Sequence, residues 1–458
     1  MRTTRHLLLF ALAFALLATG TAAAERLAPD AEVLAVLKER VESKRSAGLV
    51  VGILDEGGRR VVAYGNAGSA DKPLDGNSVF EIGSVTKVFT SSLLADMVRR
   101  GEVKLEDPAS KYLPESARLP SRNGREITLL DLATQTSGLP RLPGNLAPKD
   151  PKNPYADYTV EQLYDFLSHY TLTRDIGEKY EYSNLGVGLL GHILARRAGL
   201  SYEELVTKRI LEPLGMRDTA ITLSAPMRAH LAPGHDAGGA PVGNWDVTVL
   251  AGAGALRSTA NDMLKFLAAN LDAGDGPLPS ALRETHKPRR PTGMPNLEIG
   301  LGWHIFHRFG NDLVWHNGGT GGYHSWIGFL AARKVGVVVL SASSPDIDDI
   351  GLHLVEPRFP LSQPPKARKE SKVSAETLEA CVGEYALTPA FSITVTREGD
   401  ALFIQATGQP KLPIFPESET EFFLKAVDAQ ITFVRDQGRV TGLVLHQNGN
   451  DAPGRRVK

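Results

Sequence analysis

Two short apolar, β-branched runs, Gly48 to Leu54 and Arg59 to Ala63, open the regular patterning of the chain, with Glu56-Gly57-Gly58 between them. Turn-prone residues between such runs predict an antiparallel hairpin. From Ser84 the period changes, and apolar residues recur at helical spacing as far as Arg100, where Gly101 supplies a stop. The middle of the chain keeps this helical character. Thr128 with Asp131, and Ser201 with Glu204, have the spacing of capping boxes. Gly199 ends a helix that starts near Ser183, and Ser258 with Asp262 opens another. Strand patterning returns in Asp312 to Trp315, Tyr323 to Leu330 and Gly336 to Ser341. The order of elements predicts an α+β fold, in which the first hairpin and these late strands share one antiparallel sheet and the helical middle forms a second lobe.

Beyond the last of these strands, Leu361 to Ser374 carries Pro364, Pro365 and mixed charge with little to bury, which predicts a linker. Five short β-type runs then follow at regular spacing: Ser392 to Thr396, Ala401 to Ala406, Glu421 to Leu424, Gln430 to Arg435 and Val440 to Gln447. They predict a small all-β barrel or sandwich over residues 375–458.

The N-terminus reads differently. Arg2, Arg5 and His6 precede an apolar run from Leu7 to Ala18 and a small-residue stretch from Thr19 to Ala24. This is the layout of a secretory signal peptide over residues 1–24, with cleavage expected after Ala24 and a periplasmic or secreted destination. Its apolar core is shorter than the ~20 residues of a membrane span, and no transmembrane anchor is expected after cleavage. Residues 25–360 would then form the larger domain. Cys381 is the single cysteine among 458 residues, which leaves stability to the core. A net charge of −1 without a basic stripe argues against nucleic acid as a partner.

Candidate chemistry begins with two S-x-x-K matches. Ser69-Ala70-Asp71-Lys72 lies in a Gly/Pro/Asp-rich loop and reads as coincidence. Ser84-Val85-Thr86-Lys87 instead opens the long helix, where a three-residue spacing brings Lys87 beside Ser84. A serine hydroxyl needs a base to become nucleophilic, and a lysine sunk among apolar groups can lose its charge and serve as one. Tyr182-Ser183-Asn184 adds a group that passes protons and an amide that donates and accepts. His316-Asn317-Gly318-Gly319-Thr320-Gly321-Gly322 lies between two strands, where glycines admit close approach to a strand edge. His304 and His307 lack a third ligand and read as packing or surface residues, so no metal site is expected. Gly252-Ala253-Gly254 lacks the context of a dinucleotide loop, and no cofactor is expected.

The order of these motifs resembles the class C β-lactamases and serine D,D-peptidases of the penicillin-binding superfamily. The similarity extends through Leu129 to Leu139, Ala255 to Thr259 and Trp315 to Phe329, within a span from about Val33 to Ser344. It implies a β-lactamase/transpeptidase-like fold, with the C-terminal portion resembling an appended lipocalin-like domain. The resemblance also implies residue roles: Ser84 forms an acyl-enzyme, Lys87 and Tyr182 move protons, and Asn184 orients the acyl side chain. The N–H groups of Ser84 and Gly319 would form the oxyanion hole, with His316, Asn317 and Gly318 on the substrate-binding strand. His316 stands where β-lactamases of this branch carry a lysine. Expected substrates are β-lactams or D-Ala-D-Ala-type peptidoglycan peptides. An esterase with the same residues is the alternative, as is a penicillin-binding sensor that acylates without turning over.

Overall fold

The computed structural model describes residues 26–67, 72–272, 274–363, 368–388, 391–407, 411–425, 429–447 and 450–457. The signal-peptide segment and Ser69, Ala70 and Asp71 of the first S-x-x-K match lie outside the described residues, as do Pro364 and Pro365 of the expected linker.

Eight strands build the main sheet: β1 (Gly48–Asp55), β2 (Gly58–Gly65), β3 (Arg290–Pro291), β4 (Leu297–Ile299), β5 (His304–Arg308), β6 (Asn311–Gly319), β7 (His324–Leu330) and β8 (Val335–Ser341). Their order is β2-β1-β8-β7-β6-β5-β4-β3, antiparallel at each junction. The hairpin and the late strands therefore join as their patterning predicts, with Val50 opposite Leu340 at the seam. Alternation along each strand divides the apolar residues between two cores. Val50, Val338 and Leu340 face the larger helical lobe, whereas Leu49, Val51, Ile53, Val337 and Val339 face the other side. On that second side lie α1 (Asp30–Glu42), through Val33 and Leu37, and a helix over Asp348–Val355 near the end of the sheet.

The helical lobe centres on α2 (Thr86–Arg99), of which Thr86 to Met97 is buried throughout. A helix with no exposed face must satisfy its polar groups internally. Thr90 accordingly donates to the Gly252 carbonyl at 2.7 Å, and Asp96 takes Arg209 and Arg100. α3 (Asn184–Ala198) starts at the Ser183 cap and stops at left-handed Gly199. Both expected capping boxes form. The helix expected from Ser258 begins one residue later: Thr259 accepts from the Asp262 N–H, and Ser258 is the middle residue of a short strand, Arg257–Thr259, paired with Val79–Glu81. A cap needs extended backbone just before the helix, and the strand supplies it at Thr259.

Strands over Gly383–Thr388, Phe391–Glu398, Ala401–Ala406, Leu412–Pro416, Glu421–Phe423, Ala429–Asp436, Arg439–Gln447 and Asn450–Arg456 close an antiparallel barrel as the C-terminal domain. Three of them, Gly383–Thr388, Leu412–Pro416 and Asn450–Arg456, escape the sequence pattern. So does the helix Ala375–Cys381 that packs Leu378 and Cys381 into the barrel.

Candidate active site

The site is built where the turn before α2 meets the edge of β6. Gly83–Val85 forms one turn of 3-10 helix, and Gly83 sits at φ +47. A Cβ on Gly83 would stand 2.8 Å from the Gly319 nitrogen, and one on Gly318 would run into the Ile82 carbonyl and lie 2.8 Å from the Ser84 nitrogen. Backbone thus touches backbone here, which is the physical reason for glycine at these positions. Ser325 on β7 ties the two together by donating to the Ile82 carbonyl at 2.7 Å.

Ser84 projects from this turn, partly exposed, and Lys87 lies fully buried one helical turn on. The lysine nitrogen is 2.8 Å from Ser84 Oγ, 2.8 Å from Asn184 Oδ1 and 2.7 Å from the Ala253 carbonyl oxygen. The last two can only accept, whereas a hydroxyl can also donate. A neutral amine has two N–H bonds and one lone pair, and this set of partners matches that inventory. Burial, helped by the charge of Arg141, holds the Lys87 ammonium well below the ordinary lysine range. An ammonium would also be satisfied by these three oxygens, so it is desolvation that favours the neutral form, in which the lone pair can face Ser84.

Tyr182, just before α3, hydrogen-bonds Ser84, and its ring centroid is 4.9 Å from Lys87 Nζ. Desolvation pushes its phenol up to about 12 against the effects of Ser84 and Arg141. The phenol therefore remains protonated and is suited to donate. Asn184 is bonded to Lys87 through Oδ1 and also to Tyr155.

His316 is buried on the same face of β6 as Val314, with its ring centroid 6.3 Å from that of Tyr182. Its Nδ1 donates to the Asn317 carbonyl, leaving Nε2 as an acceptor. Burial, with His304 and Lys87 nearby, keeps it well below the usual histidine value. This strand position offers a neutral acceptor. The side chain of Asn317 departs from the expected substrate-binding role: alternation turns it to the opposite face, where Nδ2 donates to Asp348 Oδ2 at 2.6 Å.

Three contributors were not singled out in the sequence, and a fourth was read there as a packing or surface residue. Tyr155 and Trp245 meet edge to face at 5.5 Å and wall the pocket above Ser84. Arg141 places its guanidinium carbon 5.1 Å from the Tyr182 ring centroid. His304, expected to be ordinary packing, is buried with its ring 5.2 Å from His316 and its Nε2 2.9 Å from the Tyr180 hydroxyl. His307 does lie towards the surface, between Glu298 and Asp312. Arg141 directly follows Gly138-Leu139-Pro140, a turn signal that could have drawn attention to it. Tyr155 and Trp245 lie in irregular segments with no such signal.

His324, Asp346 and Asp348 bring potential metal ligands within 4.8 Å of one another. They sit on the sheet face away from Ser84, where Asp348 already binds His324 and Asn317.

A profile of the Beta-lactamase family matches residues 33–353. The chain belongs to that family. It is 32% identical over 317 residues to the D-alanyl-D-alanine-carboxypeptidase/endopeptidase AmpH of Escherichia coli K12, covering 66% of this chain and 80% of that protein. It is 28% identical over 332 residues to a Beta-lactamase of Pseudomonas fluorescens, covering 64% and 88%. Among solved structures, the Beta-lactamase/D-alanine carboxypeptidase of Yersinia pestis superposes with a TM-score of 0.61 at 27% identity, over 69% of this chain and 93% of that one. Residues 367–455 match a domain of unknown function, DUF3471. Among the described residues no helix is long and apolar enough to cross a membrane.

Proposed function

We propose that this chain is a secreted serine hydrolase that forms an acyl-enzyme at Ser84 on β-lactams or D-Ala-D-Ala-type amides. The observation that carries the reading is the placing of Lys87, fully buried with its nitrogen 2.8 Å from Ser84 Oγ, where desolvation favours the neutral amine that can take the Ser84 proton. In this reaction Lys87 takes that proton as Ser84 Oγ attacks the carbonyl carbon. The N–H groups of Ser84 and Gly319 receive the developing oxyanion, and Tyr182 protonates the leaving nitrogen as the C–N bond breaks. Water then releases the acyl group by the reverse set of transfers. The carboxypeptidase and Beta-lactamase names of the relatives support both substrate classes. The neutral ring of His316 favours an ester as a second reading, since it provides no fixed charge for a carboxylate.

The test is to mix the mature protein with a chromogenic cephalosporin and follow colour and intact mass together. Steady turnover, abolished in Ser84→Ala, is the expected result. A stable adduct on Ser84 without turnover would indicate a D,D-peptidase or a penicillin-binding sensor. Absence of both would move the reading to esters.

A further inference from the structure

Among the described residues lining the pocket above Ser84 none is basic, and burial disfavours the charged forms of the nearby Lys87 and His316. One guanidinium stands 5.1 Å from the centroid of the Tyr182 ring. Arg141 is exposed, and among the described residues it makes no ion pair. Glu181, the acidic residue beside Tyr182, is taken by Arg174 at 2.5 Å. The backbone of Arg141 is nevertheless fixed. Its carbonyl accepts from the Asn184 and Leu185 N–H groups at 3.0 and 3.2 Å, and the preceding Pro140 carbonyl accepts from Ser183 Oγ at 2.6 Å. A loop pinned to the start of α3 therefore holds an unpaired cation over the Tyr182 ring.

We propose that Arg141 binds a free carboxylate on the leaving-group side of the substrate, so that the site selects acyl compounds whose leaving group is itself an acid. The inference rests on the acyl-transfer reading, in which Tyr182 hands its proton to the leaving atom. That atom must then lie at hydrogen-bond distance from the Tyr182 hydroxyl, and a carboxylate one or two bonds further out comes within reach of a guanidinium stacked on the same ring. A guanidinium stays charged at every working pH and matches a carboxylate in a two-point contact. Position, charge and the want of a partner coincide in this one side chain.

Two esters of one acylglycine test it, the first with glycolic acid as leaving group and the second with glycolamide. Both are open to a lactamase, a peptidase or an esterase of this mechanism, and they differ in the carboxylate alone. The protein should prefer the acid. In Arg141→Ala the ratio of kcat/KM for acid over amide should fall roughly 10- to 100-fold, the span expected on losing a hydrogen bond to a charged group. The fall should come through KM of the acid ester, and Arg141→Lys should restore part of it. Equal rates on the two esters, or a preference that survives Arg141→Ala, would overturn the proposal and leave the hydrolase reading standing. Cleavage of neither ester, with no adduct on Ser84, would overturn both.

Discussion

At the scale of single residues, the site separates two proton roles by burial. Desolvation disfavours charge on both Lys87 and Tyr182, which makes the lysine a base and keeps the tyrosine an acid. The pH dependence follows from the signs. Acylation needs neutral Lys87, so kcat/KM should rise with pH through a value well below the 10.5 of an ordinary lysine. It should fall again only as Tyr182 ionises near 12. Lys87→Arg keeps a cation that cannot be deprotonated, and it should cost about 10²- to 10⁴-fold in kcat/KM, the usual contribution of a positioned base. A stopped-flow profile of acylation from pH 5 to 11 should show the rising limb and no fall within that range. A rising limb centred near 10.5 would mean that Lys87 is charged at neutrality and that another group takes the proton.

At the scale of elements, the decisive contact is backbone against backbone, between the turn before α2 and β6. Gly318→Ala would force a Cβ against the Ile82 carbonyl and the Ser84 nitrogen, and neither is a side chain that can swing aside. The strand must retreat, carrying Gly319 away from Ser84. Loss of one oxyanion donor alone costs about 10²- to 10³-fold in kcat, so Gly318→Ala should lose at least that much. Acylation kinetics and a thermal melt report the two parts of the effect, and full activity in the variant would contradict the packing. This is also the scale at which the sequence is most legible. Hairpin, capping boxes and helix stops are written in residues two to four apart, and they appear where the spacing puts them. The S-x-x-K, Tyr182 and His316 motifs could be ordered along the chain, but their convergence depends on strand and helix packing across long separations. Arg141, Tyr155 and Trp245 gain their positions only through that packing, so no local pattern marks them. Asn317 fails for a simpler reason: strand alternation sends every second side chain to the far face, and the motif alone does not state its phase.

At the scale of the whole molecule, the apolar residues fall into cores that do not mix. The two cores on either side of the main sheet draw on residues before Ser362, and the barrel core runs from Leu378 to Leu443 with flanking contacts from Val373 to Leu445. The sequence shows β-type runs continuing as far as Gln447. The short strand Leu412–Pro416 shows why closure was harder to see, because five residues give too few alternations to establish a period. Separate cores imply separate stabilities. Phe433 is buried at the centre of the barrel, 5.3 Å from Phe422 and 5.8 Å from Tyr385 between ring centroids. Truncating such a ring typically costs about 3–5 kcal/mol, and in a domain of this size each kcal/mol shifts the midpoint by roughly 4–8 °C. Phe433→Ala should therefore lower one calorimetric transition by more than roughly 10 °C and leave a second in place. The rate at which Ser84 is acylated should not change below the lower transition. If both transitions moved together and acylation failed with them, the barrel would be part of what holds the Ser84 site in shape rather than an independently folding appendage.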